Sequence, residues 1–457
     1  MNQSQIVLLA LGINIFVIYM LFSLYSPSPC QKSSPYGRRD ERPIIHPKSI
    51  PAISFVPGDR SRMQIRNEIS HVDCARLFSG DTSYAKQIAG NGKRPALVST
   101  SAESLDMSCE AIKRRILPAR NADTGYPIAY VKNVYMDYEF LEEQLAITYA
   151  AENSYCFNVD FKSEPRLHER IGILSGCLPN VILADEIYQV EPSGTNQTYA
   201  QIACLKKLRH RAWNYAIMLQ NNDIMIKTHA ELTTIFMILN GANEVEVTPC
   251  PEDRCRVNFV TPLQSNLGSL GLCPRNTVKG VDCSKKNISW AKGAMQVSMS
   301  RAAIDYIFDA IDVQPFLADL HKVGFGNDEI FWSTLQVTEA IGLPGGYSSK
   351  CTRAENMFLT RYSDWTGNCP SGKVRHYICV MGVEDLPRIH HQNWFMVNKM
   401  LPEFDYAAIS CVGQLLENRT RGIDNYTIHT QFYKNLKQVQ FNRDHASPNF
   451  RLENFTC

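Results

Sequence analysis

The sequence predicts an α/β fold, in which a mostly parallel sheet flanked by helices forms one large domain after an N-terminal transmembrane helix and a stem. Three observations predict it. Strand and helix patterns alternate between residues 127 and 223, an uncharged apolar stretch covers residues 6–25, and the sequence has 15 cysteines and, beyond that stretch, five glycosylation sequons. At 457 residues the chain is long enough for one large domain with appendages, or for two domains.

The apolar stretch predicts a membrane anchor. Residues 6–25 are rich in Leu, Ile, Val and Phe and have the length that a helix needs to span a bilayer. We therefore assign residues 1–5 to a cytoplasmic tail, 6–25 to a signal anchor, and the proline-rich residues 26–72 to a stem. A cleaved signal peptide is the alternative, although its apolar region is normally shorter and ends in small residues. Basic residues follow the span, opposite to the positive-inside trend.

Cysteines and sequons indicate that the rest of the chain lies in an oxidising lumen. None of the 15 cysteines forms the CxxC pair of structural zinc sites, so disulfide bonds are the better interpretation. N-glycosylation sequons begin at Asn196, Asn287, Asn418, Asn425 and Asn454. Lys and Arg total 47 against 45 acidic residues, which gives no basic field for nucleic acid, and we expect no such partner.

The α/β pattern begins after a transitional segment. Predicted elements are a strand at 127–135, a helix at 138–151, a strand at 155–160, a strand at 180–184, a helix at 198–211 and a strand at 215–219. The second strand ends at Asp160, and open α/β sheets bind ligands at the carboxyl ends of their strands. We expect the main domain at 73–415 and an exposed polar tail at 416–457.

Four stretches resemble the core-2/I-branching β-1,6-N-acetylglucosaminyltransferase family. They are Pro127-Ile-Ala-Tyr, Tyr155-Cys-Phe-Asn-Val-Asp, Asn327-Asp-Glu-Ile-Phe-Trp-Ser-Thr-Leu, and the run from Val374 to Leu386 followed by Asn398-Lys399. The resemblance implies a GT-A-like fold and inverting transfer of N-acetylglucosamine from UDP-GlcNAc to a glycan or glycoprotein hydroxyl in β-1,6 linkage, as in O-glycan branching. It also implies a single-pass type II protein of the Golgi membrane.

Two alternatives remain open. Xylosyltransferases of proteoglycan synthesis are similar over the same region and use UDP-xylose. The second alternative is an inactive, glycan-binding ectodomain that has kept the fold. Residues 240–286 match the family poorly, which leaves the acceptor unassigned.

The resemblance places the catalytic base on Glu329. Inverting transfer needs one carboxylate to take the proton of the attacking hydroxyl. Asp328, the first acid of the motif, is a candidate acceptor contact. The alternative is that Asp328 and Glu329 only cap the helix that Phe331 and Trp332 begin.

The resemblance assigns the leaving diphosphate to Arg375 and Lys399, and a nucleotide contact to Asp160. A guanidinium and an ammonium can neutralise a diphosphate without a metal, so we expect no cofactor and no metal ligands. The alternatives are solvated surface cations and an aspartate that caps a turn. Trp365 is a candidate for stacking on the acceptor sugar, with a core tryptophan as the alternative.

Disulfide pairs are assigned only through the resemblance. It pairs Cys74 with Cys411, Cys109 with Cys177, Cys156 with Cys204, and Cys369 with Cys379. The pairing of the other cysteines stays open, with Cys250, Cys255, Cys273 and Cys283 available to one another, Cys30 and Cys457 either free or intermolecular, and Cys351 unassigned.

Overall fold

The computed structural model describes residues 69–90, 94–97, 105–118, 123–255, 263–275, 282–424 and 426–457. The chain divides into two units, Met1–His46 and Pro47–Cys457, and every described residue belongs to the second. The predicted cytoplasmic tail and anchor, the stem up to residue 68 and the Asn425 sequon lie outside the described residues. Along the described part of the chain, no helix is both long and apolar enough to cross a bilayer.

The described part of the chain begins and ends with helices, and strands alternate with helices between residues 128 and 220. In chain order they are α1 Cys74–Phe78, α2 Thr82–Ala89, α3 Cys109–Ile116, β1 Ile128–Val134, α4 Tyr138–Thr148, β2 Ser154–Val159, α5 Pro165–Cys177, β3 Val181–Leu183, α6 Gln197–Leu208, β4 Tyr215–Gln220, β5 Ile224–Met225, α7 His229–Leu239, β6 Thr248–Pro249, α8 Glu252–Cys255, β7 Ala291–Lys292, β8 Ser298–Ser300, α9 Arg301–Asp309, α10 Gln314–Leu320, α11 Asp328–Val337, β9 Arg361–Tyr362, β10 Val374–Arg375, β11 Ile378–Cys379, α12 Leu386–His390, β12 Met396–Val397, α13 Tyr406–Thr420, α14 Thr430–Lys434 and α15 Lys437–His445.

The central sheet has five strands in the order β3-β2-β1-β4-β8. The first four are parallel to one another, and β8 runs antiparallel at the edge. The prediction of a mostly parallel sheet flanked by helices is therefore confirmed, and the four predicted strands are β1 to β4. Strand β8 was not predicted, because three residues are too few to show a periodicity.

Both faces of the sheet are covered. All seven residues of β1 are buried, and alternate side chains enter different cores. Ala129 and Val131 pack in one core, whereas Ile128 and Tyr130 pack in the other. Such two-sided burial is typical of parallel strands and explains why β1 is apolar along most of its length.

The carboxyl ends of three parallel strands meet at one edge of the sheet. The register aligns Val134 at the end of β1 with Val159 at the end of β2. Asn221, which follows β4, fixes the third strand end because its Oδ1 accepts hydrogen bonds from the backbone N–H groups of Tyr135 (2.9 Å) and Met136 (3.1 Å). The loops that follow β1, β2 and β4 therefore lie side by side.

A second, three-stranded sheet extends this edge. Strand β12 lies between β5 and β9, antiparallel to the former and parallel to the latter. Lys399 follows β12 by two residues, so this small sheet carries the predicted cation to the loops after β4.

Seven disulfides cross-link the described residues. The four pairs implied by the resemblance are all present, and the three additional pairs are Cys250–Cys255, Cys273–Cys283 and Cys351–Cys457. Cys457 is thus neither free nor intermolecular. Cys30 lies outside the described residues.

The C-terminal segment differs from the predicted exposed tail at 416–457. Helix α13 runs across the predicted boundary, and Tyr433 and Phe441 are buried in the two cores that flank the central sheet. The disulfide between Cys351 and Cys457 closes the segment onto the domain. The polar composition misled the prediction because a few well-spaced apolar residues suffice to bury one face of short helices.

The sequons that the structure describes are accessible to different degrees. Asn287, Asn418 and Asn454 are exposed, whereas Asn196 is half-buried at the start of α6 and donates from its Nδ2 to the Gln189 carbonyl (2.8 Å).

Candidate active site

Glu329 lies in the first turn of α11, beside the edge at which the strands end. The helix begins at Asp328, and the cap residue is Asn327, whose side chain makes no capping hydrogen bond. The Glu329 side chain is 28% exposed. Its position in the first turn favours a negative charge there. The two acids therefore occupy the first turn and not the cap position.

Asp328 is buried, unlike its neighbour. Only 8% of its surface is exposed, and its carboxylate packs so closely on Gly194 that a Cβ there would lie 2.1 Å from Oδ1. Burial, together with the adjacent charge of Glu329, raises the pKa of Asp328 to about 7. The structure thus places Asp328 inside the fold, and its assignment as an acceptor contact stays a prediction.

Two cations hold the carboxylate of Glu329. Its Oε2 accepts from Arg254 Nη1 at 2.5 Å and lies 3.2 Å from Lys292 Nζ. Arg254 belongs to α8, and Lys292 ends β7. Neither residue was predicted, because both lie in or beside a cysteine-rich stretch in which no periodicity or motif marks them.

Asp223 is the centre of a buried polar network. Its carboxylate accepts from the Gln220 backbone N–H (2.6 Å), from Gln296 Nε2 (3.0 Å) and from Asn398 Nδ2 (2.8 Å). Burial raises the pKa of Asp223, whereas these donors and the charge of Arg361 act in the opposite direction. The network joins β4, β8 and β12 under the strand ends.

Lys399 and Arg375 are adjacent. Lys399 Nζ lies 3.5 Å from the Arg375 backbone carbonyl, and Arg375 Nη1 lies 3.5 Å from Glu403 Oε1. Lys399 is only 8% exposed. Burial and then the positive charge of Arg375 lower the pKa of Lys399 to about 8, although Asp223 acts in the opposite direction.

Arg361 lies between the network around Asp223 and the two residues Asp328 and Lys399. Its Nη1 donates to Gln296 Oε1 at 2.9 Å, and its Nε is buried without a hydrogen-bond partner. Its charge acts on both Asp328 and Lys399. Arg361 therefore lies near both Asp328, at the start of α11, and Lys399. Arg361 was not predicted because β9 has two residues and shows no pattern.

Asp160 follows β2 at the same sheet edge. Its Oδ1 accepts from the Lys162 backbone N–H at 2.9 Å, so it does cap the turn, as the alternative interpretation held. No other described residue donates to its second oxygen, which is available to a ligand. Nucleotide contact by Asp160 stays a prediction.

Trp365 lies on the surface beside the hairpin that carries Arg375. It is 55% exposed, which excludes the core position considered as its alternative. The preceding residue, Asp364, accepts from Cys379 N–H through its carbonyl (2.9 Å) and pairs with Arg388 (2.6 Å), so the loop is fixed next to β11. An exposed indole on a fixed loop can stack on a sugar ring.

Among the described residues, no group of three or more His, Cys, Asp or Glu side chains is arranged to hold a metal ion.

Comparison with known proteins decides the family. Residues 128–390, more than half of the chain, match the family described as Core-2/I-Branching enzyme. The chain belongs to the core-2/I-branching enzyme family. It is similar to the β-1,3-galactosyl-O-glycosyl-glycoprotein β-1,6-N-acetylglucosaminyltransferase of bovine herpesvirus 4 (strain V. test), at 26% identity over 76% of this chain and 82% of the relative.

Two mammalian relatives are similar to the chain to a comparable extent. The enzyme of the same name numbered 3 from Homo sapiens is 26% identical over 76% of this chain and 82% of its own length. The enzyme numbered 4 from Mus musculus is 27% identical over 65% and 67%, respectively. This core-2/I-branching chain is accordingly a glycosyltransferase, and it uses a sugar-nucleotide donor and a glycan acceptor.

The geometry suits such a transfer by a core-2/I-branching enzyme. A partly exposed carboxylate at one end of the site can accept a proton, and two cations at the other can stabilise a leaving anion. The buried network around Asp223 joins the loop after β4 to Arg361 of β9 and to Asn398, the residue before Lys399.

Proposed function

We propose that the chain is an inverting β-1,6-N-acetylglucosaminyltransferase that uses UDP-GlcNAc and acts on an O-glycan with a β-1,3-linked galactose. The printed activity of its relatives supports the donor sugar, the linkage and the acceptor class. The observation that carries the proposal is that Arg361, which donates to the network around Asp223, acts on both Lys399 and Asp328, the residue before Glu329.

In this proposal a residue is assigned to each step of the reaction. The acceptor hydroxyl oxygen attacks the anomeric carbon of the sugar and forms the new C–O bond, while its proton passes to Glu329. The bond between the anomeric carbon and the diphosphate oxygen breaks on the opposite face, which inverts the configuration. UDP leaves with an additional negative charge, and Arg375 and Lys399 stabilise that charge.

Asp160 and Trp365 bind the two substrates in this scheme. The free carboxylate oxygen of Asp160 accepts a hydrogen bond from the nucleotide at the sheet edge. The exposed ring of Trp365 stacks on the acceptor sugar. The fold of the catalytic domain is of the GT-A type, and no metal is required because the two cations take its role.

The compartment is the Golgi lumen, with the chain anchored as a single-pass type II protein through residues 6–25. The seven disulfides and the exposed sequons support an oxidising lumen. Protease treatment of sealed microsomes should leave the domain intact, and peptide N-glycosidase should lower its mass. Digestion of the domain in sealed vesicles would contradict this topology.

Activity is tested with the full chain purified in detergent. UDP-GlcNAc and UDP-xylose are offered in parallel with a β-1,3-galactosyl-N-acetylgalactosamine aryl glycoside and with a serine-rich peptide. We expect transfer only from UDP-GlcNAc to the glycoside. Transfer of xylose to the peptide would identify a xylosyltransferase, and absence of UDP binding by calorimetry would identify an inactive ectodomain.

Glu329→Gln tests the catalytic assignment. General base catalysis contributes roughly 10²–10⁴-fold, so we expect kcat to fall by about 10³-fold while the Kd of UDP stays unchanged. Glu355→Gln at the exposed position 355 is the matched control and should keep full activity. A folded Glu329→Gln protein with normal kcat would exclude Glu329 as the base.

A further inference from the structure

The two cations on Glu329 contact the same oxygen. Arg254 Nη1 and Lys292 Nζ lie 2.5 and 3.2 Å from Oε2. No described residue donates to Oε1. The carboxylate is therefore fixed through one oxygen, while the other is left for a ligand.

The fold holds Lys292 close to the first turn of α11. The backbone N–H of Gly293 donates to the carbonyl of Glu329 itself at 2.8 Å. A Cβ at position 293 would lie 2.0 Å from the Glu246 carbonyl oxygen, so only glycine permits this approach. Lys292 is thus placed by the backbone and not only by its flexible side chain.

Arg254 is held by the same unit of structure. Strand β6 pairs with β7, and the disulfide Cys250–Cys255 closes the short segment that carries Arg254. The ring of Phe325 covers the guanidinium, with its centroid 5.1 Å away. Gly326, at φ +71°, packs against the same guanidinium, since a Cβ there would lie 2.6 Å from Arg254 Nη1.

The exposure of these residues separates them from ordinary surface ion pairs. The side chains of Arg254, Lys292 and Glu329 are 23%, 29% and 28% exposed. Exposed pairs contribute little because both side chains remain free to move. Here the backbone contact of Gly293 and the Phe325 ring already restrict both cations.

We infer that Arg254 and Lys292 are positioning residues for the base: they hold Oε2 of Glu329 so that Oε1 takes the proton of the acceptor hydroxyl. The inference rests on the proposed function, in which Glu329 is that base. It assigns a role to Arg254 and Lys292, neither of which the sequence singles out.

The test compares Lys292→Met with Lys292→Arg and with Lys285→Met. Lys285, in the same cysteine-rich segment, is exposed and pairs with Asp282 at 3.3 Å, so its substitution is the matched control. In Lys292→Met the Glu329 carboxylate should lose its fixed orientation towards the acceptor hydroxyl. We expect kcat at pH 7 to fall about tenfold.

The remaining readouts distinguish positioning from substrate contact. The acceptor KM and the Kd of UDP should stay within about twofold of wild type in Lys292→Met, since a positioning residue does not bind either substrate. Lys292→Arg should restore kcat, and Lys285→Met should leave kcat unchanged. A raised acceptor KM with an unchanged kcat would overturn the inference, as would full activity of Lys292→Met.

A crystal structure of Lys292→Met separates this inference from the proposed function. The expected result is a Glu329 carboxylate that has rotated away from its wild-type position. Retention of the wild-type rotamer overturns the positioning role, whatever the activity. If instead wild-type protein transfers no sugar but the carboxylate does rotate, the proposed function fails and the positioning of Glu329 stands.

Discussion

The affinity for UDP should fall at high pH as Lys399 loses its proton. Burial lowers the pKa of its ammonium group to about 8 in the free protein. The negative charges of a bound diphosphate favour the protonated form and raise that pKa again. Above pH 8, binding must therefore take up a proton, and the affinity present below pH 8 is lost as the pH rises through that value.

The size of the effect follows from the pKa. At pH 7 about nine in ten Lys399 side chains are protonated, and at pH 9 about one in ten. If UDP binds only the protonated form, its Kd should be about tenfold weaker at pH 9 than at pH 7, which corresponds to about 1.4 kcal/mol. The phosphate groups keep their charge over this range because their last pKa is about 6. The pKa of His376 is lowered from 6.5 by burial, so its ring is also uncharged throughout.

Isothermal calorimetry in two buffers of different ionisation enthalpy measures both the Kd of UDP and the number of protons taken up on binding. At pH 9 the wild-type protein should take up close to one proton per UDP bound. Lys399→Arg is the matched control, because a guanidinium stays charged at pH 9 and its binding should not change between pH 7 and 9. Lys399→Met should bind UDP about 10–100-fold more weakly at pH 7, since it loses a charge-assisted hydrogen bond.

Two results would refute this reasoning. A wild-type Kd that is constant from pH 7 to 9 would show that Lys399 does not contact the diphosphate. An equal loss of affinity in Lys399→Arg would assign the titration to another group, such as Asp328, whose pKa is about 7.

Three further predictions concern the rest of the site and the fold. Transfer should persist in excess EDTA because cationic side chains stabilise the leaving group, and complete loss of activity there would contradict that role. Trp365→Ala should raise the acceptor KM about tenfold without changing the melting temperature, since the ring is exposed; a lower melting temperature with an unchanged KM would show a purely structural role. Cys351→Ser should lower the free energy of unfolding by about 2–4 kcal/mol in denaturant titrations, whereas an unchanged midpoint would mean that the bond to Cys457 adds no stability.

Long, periodic segments were predictable from the sequence. Strands β1 to β4 and the helices α4 and α6 were predicted to within a few residues, because their apolar patterns are regular. The motif around Glu329 also indicated a helix, which begins at Asp328, three residues before the predicted start at Phe331.

Short or irregular segments were not predictable. Arg254, Lys292 and Arg361 each lie in an element of two to four residues, where neither periodicity nor a motif distinguishes one cation from a solvated surface residue. The contacts that bring them together come from packing between distant segments. The buried residue Tyr433 shows the same limit, since its polar neighbours hid the apolar face of the C-terminal helices.

The insertion of β12 between β5 and β9 has a consequence for biosynthesis. These strands come from widely separated parts of the chain, so their pairing raises the contact order of the domain. The main sheet can assemble while the ribosome is still translating, but the end that carries Lys399 cannot form until the residues near 400 have emerged. If Lys399 contacts the diphosphate as proposed, nucleotide binding is acquired late, and a UDP affinity resin would capture fully folded molecules and leave nascent or truncated ones behind.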